Sequence, residues 1–191
     1  MFQILLIRPG STDYEQQGRV QGTLDVPLCE EGRREVTDLI EQLKSEGLEL
    51  IYHSPVQSAE ETAETIGRAL GIRVRELDKL QNLNHGLWQG MLIDDVKLKQ
   101  PKVYRQWLER PETVCPPEGE TVAAARQRAD EIVAKLLRKH HEGTIGIVVP
   151  EPMASIVRQV LTHDELHDLW DADGDAQWER IVIEPVAALK G

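Results

Sequence analysis

Short apolar runs alternate along this chain with longer stretches of helical spacing. Residues 2–7 are almost all apolar and are followed by Pro9-Gly10, so they predict a buried strand. A long loop follows through Gly18, Gly22 and Pro27. From Glu31, Val36, Leu39, Ile40 and Leu43 fall on one face, predicting a helix that ends near Gly47. Leu48 to His53 reads as a second short strand. Ser54-Pro55 is expected to open another helix, with Ala59, Thr62, Ala63, Ile66 and Leu70 on one face and Gly71 as its stop. Ile72-Arg73-Val74-Arg75 alternates like a half-exposed strand. Residues 80–119 show no clear period and hold Trp88, Trp107 and Cys115-Pro116-Pro117. A long amphipathic helix is predicted over 120–139, carrying Val122, Ala125, Ala129, Ile132, Val133, Leu136 and Leu137. Thr144 to Val149 reads as a strand, Met153 to Leu161 as a helix and Ile181 to Ile183 as a last strand.

Strands alternating with helices predict an α/β layered fold with a largely parallel sheet. In such sheets sites form at the carboxyl ends of strands. Three segments meet that description: Arg8-Pro9-Gly10-Ser11, His53-Ser54-Pro55 and Pro150-Glu151-Pro152.

Length and composition narrow the picture. The chain has 191 residues, about one domain or one domain with a small cap. With 40% hydrophobic and 29% charged residues it is expected to be globular. Its net charge of −11 argues against nucleic-acid and anionic-membrane partners, both of which need clustered Lys and Arg. A local pocket can still oppose that field, so an anionic small molecule stays open. Cys29 and Cys115 have no metal-type spacing and read as two reduced thiols. The first apolar run is too short for a membrane span or a signal-peptide core, and a cytoplasmic location is expected.

Several segments resemble those of one family. Leu6-Ile7-Arg8-Pro9-Gly10-Ser11-Thr12-Asp13-Tyr14, then Gly18-Arg19-Val20-Gln21-Gly22, Asp25-Val26-Pro27-Leu28 and Glu31-Gly32 look like the opening of the histidine phosphatase superfamily, the phosphoglycerate-mutase-like phosphatases. Ser54-Pro55-Val56-Gln57-Ser58-Ala59 with Thr62-Ala63 resembles its second motif, and Asn82 to Gly90 its acid loop. Pro117-Glu118-Gly119-Glu120-Thr121 resembles the turn before its long helix. Ile147-Val148-Val149-Pro150-Glu151-Pro152 stands where its last motif belongs. The resemblance covers nearly the whole chain. It implies a three-layer α/β/α sandwich with a mostly parallel sheet, formed by residues 1–191 as one domain with a small cap-like insertion around 80–119.

The same resemblance locates departures. The family's opening motif is Arg-His-Gly, whose His becomes phosphorylated; here that position is Pro9. A phosphoryl-binding Arg corresponds to Ser58, the carboxylic proton donor to Asn82, and the phosphate-contacting His of the last motif to Glu151. A pocket Asn corresponds to Glu15, and Arg8 alone is kept as a phosphate-binding remnant. A proline nitrogen inside a peptide bond has no free electron pair for covalent phosphoryl transfer. Glu151 adds negative charge where a donor is needed, and Asn82 cannot protonate a leaving alkoxide. The expectation is therefore a catalytically inactive member with a binding or regulatory role. The alternative is a phosphatase or mutase-like enzyme using altered residues in the same cleft.

The residues expected to line that cleft are Ser11, Glu15, Gln21, Gly22, Thr23, His53, His85 and Pro152. Arg8 reads as an ion-pair partner of Glu151 or Glu15, and Pro152 as the first residue of a helix. His53 is a possible replacement nucleophile, but a polar wall residue is the simpler reading. His85 is read as filling an aromatic slot, with a proton shuttle as the alternative. No cofactor or metal is expected: His163-Asp164-Glu165-Leu166-His167 lacks the Glu directly after the first His, and Asp171-Asp173-Asp175 lacks a calcium loop's Gly and Glu. Cys29 has no visible base, and Trp88, Trp107 and Trp170 are read as packing residues. A small molecule or a protein of unknown identity remains as partner.

Overall fold

A computed structural model describes residues 1–163 and 177–183. Trp170, the Asp171–Asp175 loop and the His163 run beyond its first residue lie outside the described residues. Five strands form one sheet: β1 (Phe2–Ile7), β2 (Leu48–His53), β3 (Arg73–Glu76), β4 (Gly143–Val148) and β5 (Trp178–Ile183). Their order is β3-β2-β4-β1-β5. All pairings are parallel except that of β5, which runs antiparallel to β1 at one edge.

The period of two in β1 separates two cores. Leu5 and Ile7 point to the layer made by α2 (Glu30–Leu43) and α3 (Gln57–Leu70), against Val36, Leu39, Ala59 and Ile66. Ile4 and Leu6 face the other layer, built on α6 (Val122–Lys139) and α7 (Met153–Thr162), against Ala125, Ala129, Ile156 and Val157. The sheet is thereby covered on both faces, as a mostly parallel sheet requires.

Some boundaries differ from expectation. Ser54-Pro55 stays outside α3, whose N-cap is Val56; Ser54 N donates instead to the Val148 carbonyl, extending the sheet contact past β2. β5 begins at Trp178, before the apolar run, because Trp178, Glu179 and Arg180 pair with Ile7, Leu6 and Leu5 on an edge strand whose polar residues hide the pattern. The loop after β1 contains a helical turn, α1 (Asp13–Gln16), closed by a Thr12–Glu15 capping box. Cys29 is the buried N-cap of α2, its Sγ accepting from Gly32 N.

The aperiodic stretch holds two short helices, α4 (Ile93–Lys99) and α5 (Pro101–Glu109), and the 3₁₀ turns Gly86–Trp88 and Pro111–Thr113. Their buried side chains join the α6/α7 core; Trp88 and Trp107 meet edge to face with centroids 6.1 Å apart. Among the described residues no helix is long and apolar enough to cross a membrane.

The loop leaving β1 is pressed onto the start of α2. A Cβ on Gly32 would lie 2.1 Å from the Ser11 carbonyl oxygen, and one on Gly10 would lie 2.3 Å from the Gly32 carbonyl oxygen. Both obstacles are backbone, so neither can rotate away. Gly32→Ala is expected to destabilise the protein by about 2 kcal/mol, as overpacking does. The urea midpoint would fall, with an unchanged slope.

Candidate functional site

The carboxyl ends of β1 and β4 lie side by side, since Ile7 pairs with Val148. Between them, the Gly18–Gly22 loop and His85, opens a cleft of roughly 320 Å³. Arg8, Glu15, Gln21, Gly22, His85, Glu151 and Pro152 line it, joined by Gly18, Arg19, Val20, Ile93 and Pro150. Of the second group, Pro150 belongs to a strand-end segment and Gly18, Arg19 and Val20 to the family-like opening, whereas nothing in the sequence marks Ile93.

Arg8 Nε donates to Glu151 Oε1 at 2.9 Å. The other carboxylate oxygen, Oε2, accepts from Ser155 Oγ at 2.8 Å and from Ser155 N at 3.1 Å. The Glu151 carboxylate is therefore held by a guanidinium, a hydroxyl and a backbone amide in the first turn of α7. All three are favourable partners for an anion. Pro152 is the N-cap of α7 rather than its first residue.

Asn82 fixes the backbone beneath this carboxylate. It is 1% exposed. Its Nδ2 donates to the Gly22 and Glu151 carbonyls, each at 3.0 Å, and its Oδ1 accepts from Leu83 N at 2.9 Å and Met153 N at 3.3 Å. Two amide hydrogens meet two carbonyls, a pattern that an ionised carboxylate cannot supply.

The acidic side of the cleft is ordered by Thr12. Glu15 Oε2 accepts from Thr12 N at 2.7 Å, and Thr12 Oγ1 donates to Gln21 Oε1 at 2.8 Å. Surrounding protein withdraws the Glu15 carboxyl group from water and raises its pKa. The Glu35 and Glu151 charges push the same way, against the lowering hydrogen bonds from Thr12. Gln21 Nε2 is buried and makes no hydrogen bond among the described residues.

Three expected lining residues lie elsewhere. Ser11 turns to α2, where its N and Oγ donate to Glu35 at 2.7 and 2.8 Å. Thr23 donates to Gln89 Oε1 and faces a neighbouring depression with Asn84 and Cys115. His53 is buried behind the strand ends with Nδ1 2.8 Å from the Ser54 carbonyl oxygen, which makes Nδ1 the donor. It does not border the cleft, so a replacement nucleophile there lacks access. Ser58 is also buried and away from the lining. Among the described residues no group of three or more His, Cys, Asp or Glu is arranged to hold a metal ion.

His85 does border the cleft, packed 5.3 Å from the Trp107 ring. It is 3% exposed, and burial lowers its pKa to about 4. At neutral pH it is an uncharged wall.

Residues 4–184 match the family described as the histidine phosphatase superfamily (branch 1). The chain belongs to that superfamily. It is 32% identical over 148 residues to phosphoserine phosphatase 1 of Hydrogenobacter thermophilus, covering 78% of this chain and 70% of that protein. It is 31% identical over 140 residues to glucosyl-3-phosphoglycerate phosphatase of Mycobacterium tuberculosis, covering 73% of this chain and 62% of that protein. Against that M. tuberculosis protein the match spans less than two thirds of its length. Among solved structures, Mycobacterial hydrolase 1 superposes with a TM-score of 0.83 at 26% identity, covering 93% of this chain and 90% of the other. A mycobacterial glucosyl-3-phosphoglycerate phosphatase complexed with VO3 superposes with a TM-score of 0.80 at 27% identity, covering 88% and 85%. The layered fold with its mostly parallel sheet is the phosphoglycerate-mutase-like one.

Two outcomes follow from the buried polar groups. His85 takes up its proton near pH 4 when folded but near pH 6.5 when unfolded, so the unfolded chain binds more protons between these values. Stability is expected to fall as pH drops through that window, by up to about 3 kcal/mol, and to level off below it. A His85→Phe variant would lose this component of the urea-midpoint profile. Asn82→Asp would turn a carboxylate onto the Gly22 and Glu151 carbonyls and is expected to destabilise the fold by about 3 kcal/mol at pH 7. Chemical denaturation at pH 7 checks it.

Proposed function

We propose that this chain is a non-catalytic member of its superfamily whose cleft serves binding or regulation. Pro9 carries the reading. A phosphohistidine intermediate needs an imidazole at the end of the first strand, and the residue after Arg8 offers an amide nitrogen without a free electron pair. Three further features support it. Asn82 spends its amide on backbone carbonyls and has no proton to give. His85 is uncharged and packed on Trp107. Glu151 pairs with Arg8 at 2.9 Å and so offsets the positive charge that an incoming anion would need there. A cytoplasmic protein of one domain, with the 80–119 stretch as a small cap, fits this role.

A second reading is a phosphatase or mutase-like enzyme with altered catalytic residues. Its support is the relatives, which are named phosphatases, and on the comparisons alone it is the better backed of the two. Within the cleft it leaves His85 and Glu15 as candidate acid–base groups.

The two readings separate in one experiment. The purified protein is incubated with an aryl phosphate, phosphoserine and labelled phosphoglycerate, and then searched for an acid-labile phosphoenzyme. The expected result is no label and no release of phosphate above the background rate. Turnover that survives repurification and vanishes in His85→Ala or Glu15→Ala would establish the second reading in place of the first.

A further inference from the structure

The Glu151 carboxylate has an unusual position for a side chain of its own cleft. It lies at the end of β4, next to the end of β1, and receives three donors: Arg8 Nε at 2.9 Å, Ser155 Oγ at 2.8 Å and Ser155 N at 3.1 Å. A guanidinium, a hydroxyl and a first-turn amide of a helix together form an oxyanion seat. The side chains of the ion pair are 32% and 18% exposed, for Arg8 and Glu151, so the seat reaches solvent; Arg8 and Glu151 line the cleft, while Ser155 lies with them on an adjoining depression that also holds Arg158. Its occupant is tethered, because Asn82 holds the Glu151 carbonyl and the Met153 amide from below.

We infer that Glu151 is a built-in anion that keeps this oxyanion seat filled, a contact within the fold that blocks oxyanion binding from solution. The inference rests on the non-catalytic reading, and it gives Arg8 Nε an anionic partner that the chain itself supplies. An oxyanion arriving from solution meets donors already engaged and an arginine charge already offset. A tethered group also competes at a high effective concentration, so a free anion must be in large excess to displace it.

Emptying the seat tests this. Glu151→Ala removes the carboxylate and leaves Arg8, Ser155 Oγ and Ser155 N in place. Formate, acetate and inorganic phosphate are titrated by calorimetry into wild type and variant at constant ionic strength, with chloride as the reference. The variant is expected to bind at least one of these oxyanions saturably, with an affinity about tenfold or more above any wild-type binding. The same oxyanion should raise its melting temperature more than chloride does. Glu151→Gln keeps the packing and removes the charge, so it serves if the alanine variant does not fold; it too should gain oxyanion affinity over wild type. Equal binding by wild type and variants, or none by either variant, overturns the inference. Turnover by the wild type would instead remove the reading beneath it, so the two failures are distinguishable.

Discussion

The parallel pairing of β1 with β4 sets the terms for everything at the cleft. It brings residues 8 and 151, distant in sequence, to adjacent strand ends, where whatever charges they carry must interact. Here those charges are opposite and within hydrogen-bond distance. The remaining features accommodate that pair: Ser155 completes the carboxylate's shell, and the turn into α7 is shaped so that a single side chain can reach both Arg8 and the helix's own first turn. A buried or half-buried ion pair adds little net stability once desolvation is counted, and its stronger effect is to fix which groups face each other.

Asn82 shows how a position can change its task without leaving its place. Its amide joins three stretches that are far apart in sequence, the Gly22 turn, its own loop and the start of α7. A donor–acceptor side chain at such a junction ties the floor of the cleft to its wall. Exchanging it for a carboxylic acid would not simply reinstate a proton donor; it would first have to find new partners for two buried carbonyls.

Much of the fold was legible in the residues. β1, β2 and β4 are short apolar runs that only a sheet covered on both faces can bury, and α2, α3 and α6 carry apolar stripes at helical spacing. α4 and α5 escaped because each is short and bears few buried residues, Val96 and Trp107 respectively, too few to set a period. At the cleft, position along the chain located strand ends but not side-chain direction. Ser11 follows β1 and His53 ends β2, as lining residues should, yet Glu35 draws one away and the Ser54 carbonyl holds the other. The Arg8–Glu151 pair could be anticipated because the resemblance placed both in one site. The four bonds of Asn82 could not, since each depends on the tertiary position of a backbone group.

The strand order carries a consequence for how the molecule is assembled. β1 is formed by residues 2–7, yet both of its neighbours, β4 and β5, lie beyond residue 142. Of the five strands, β1 is synthesised before the others, yet neither of its edges can pair until residues beyond 142 have been made. Its apolar residues on both faces have only helices for cover in the meantime. Contacts this distant in sequence slow folding, because loop closure must be completed before they form. The two strand ends that define the cleft are joined by one of these long-range pairings, and Arg8 and Glu151 become partners only when β1 and β4 pair.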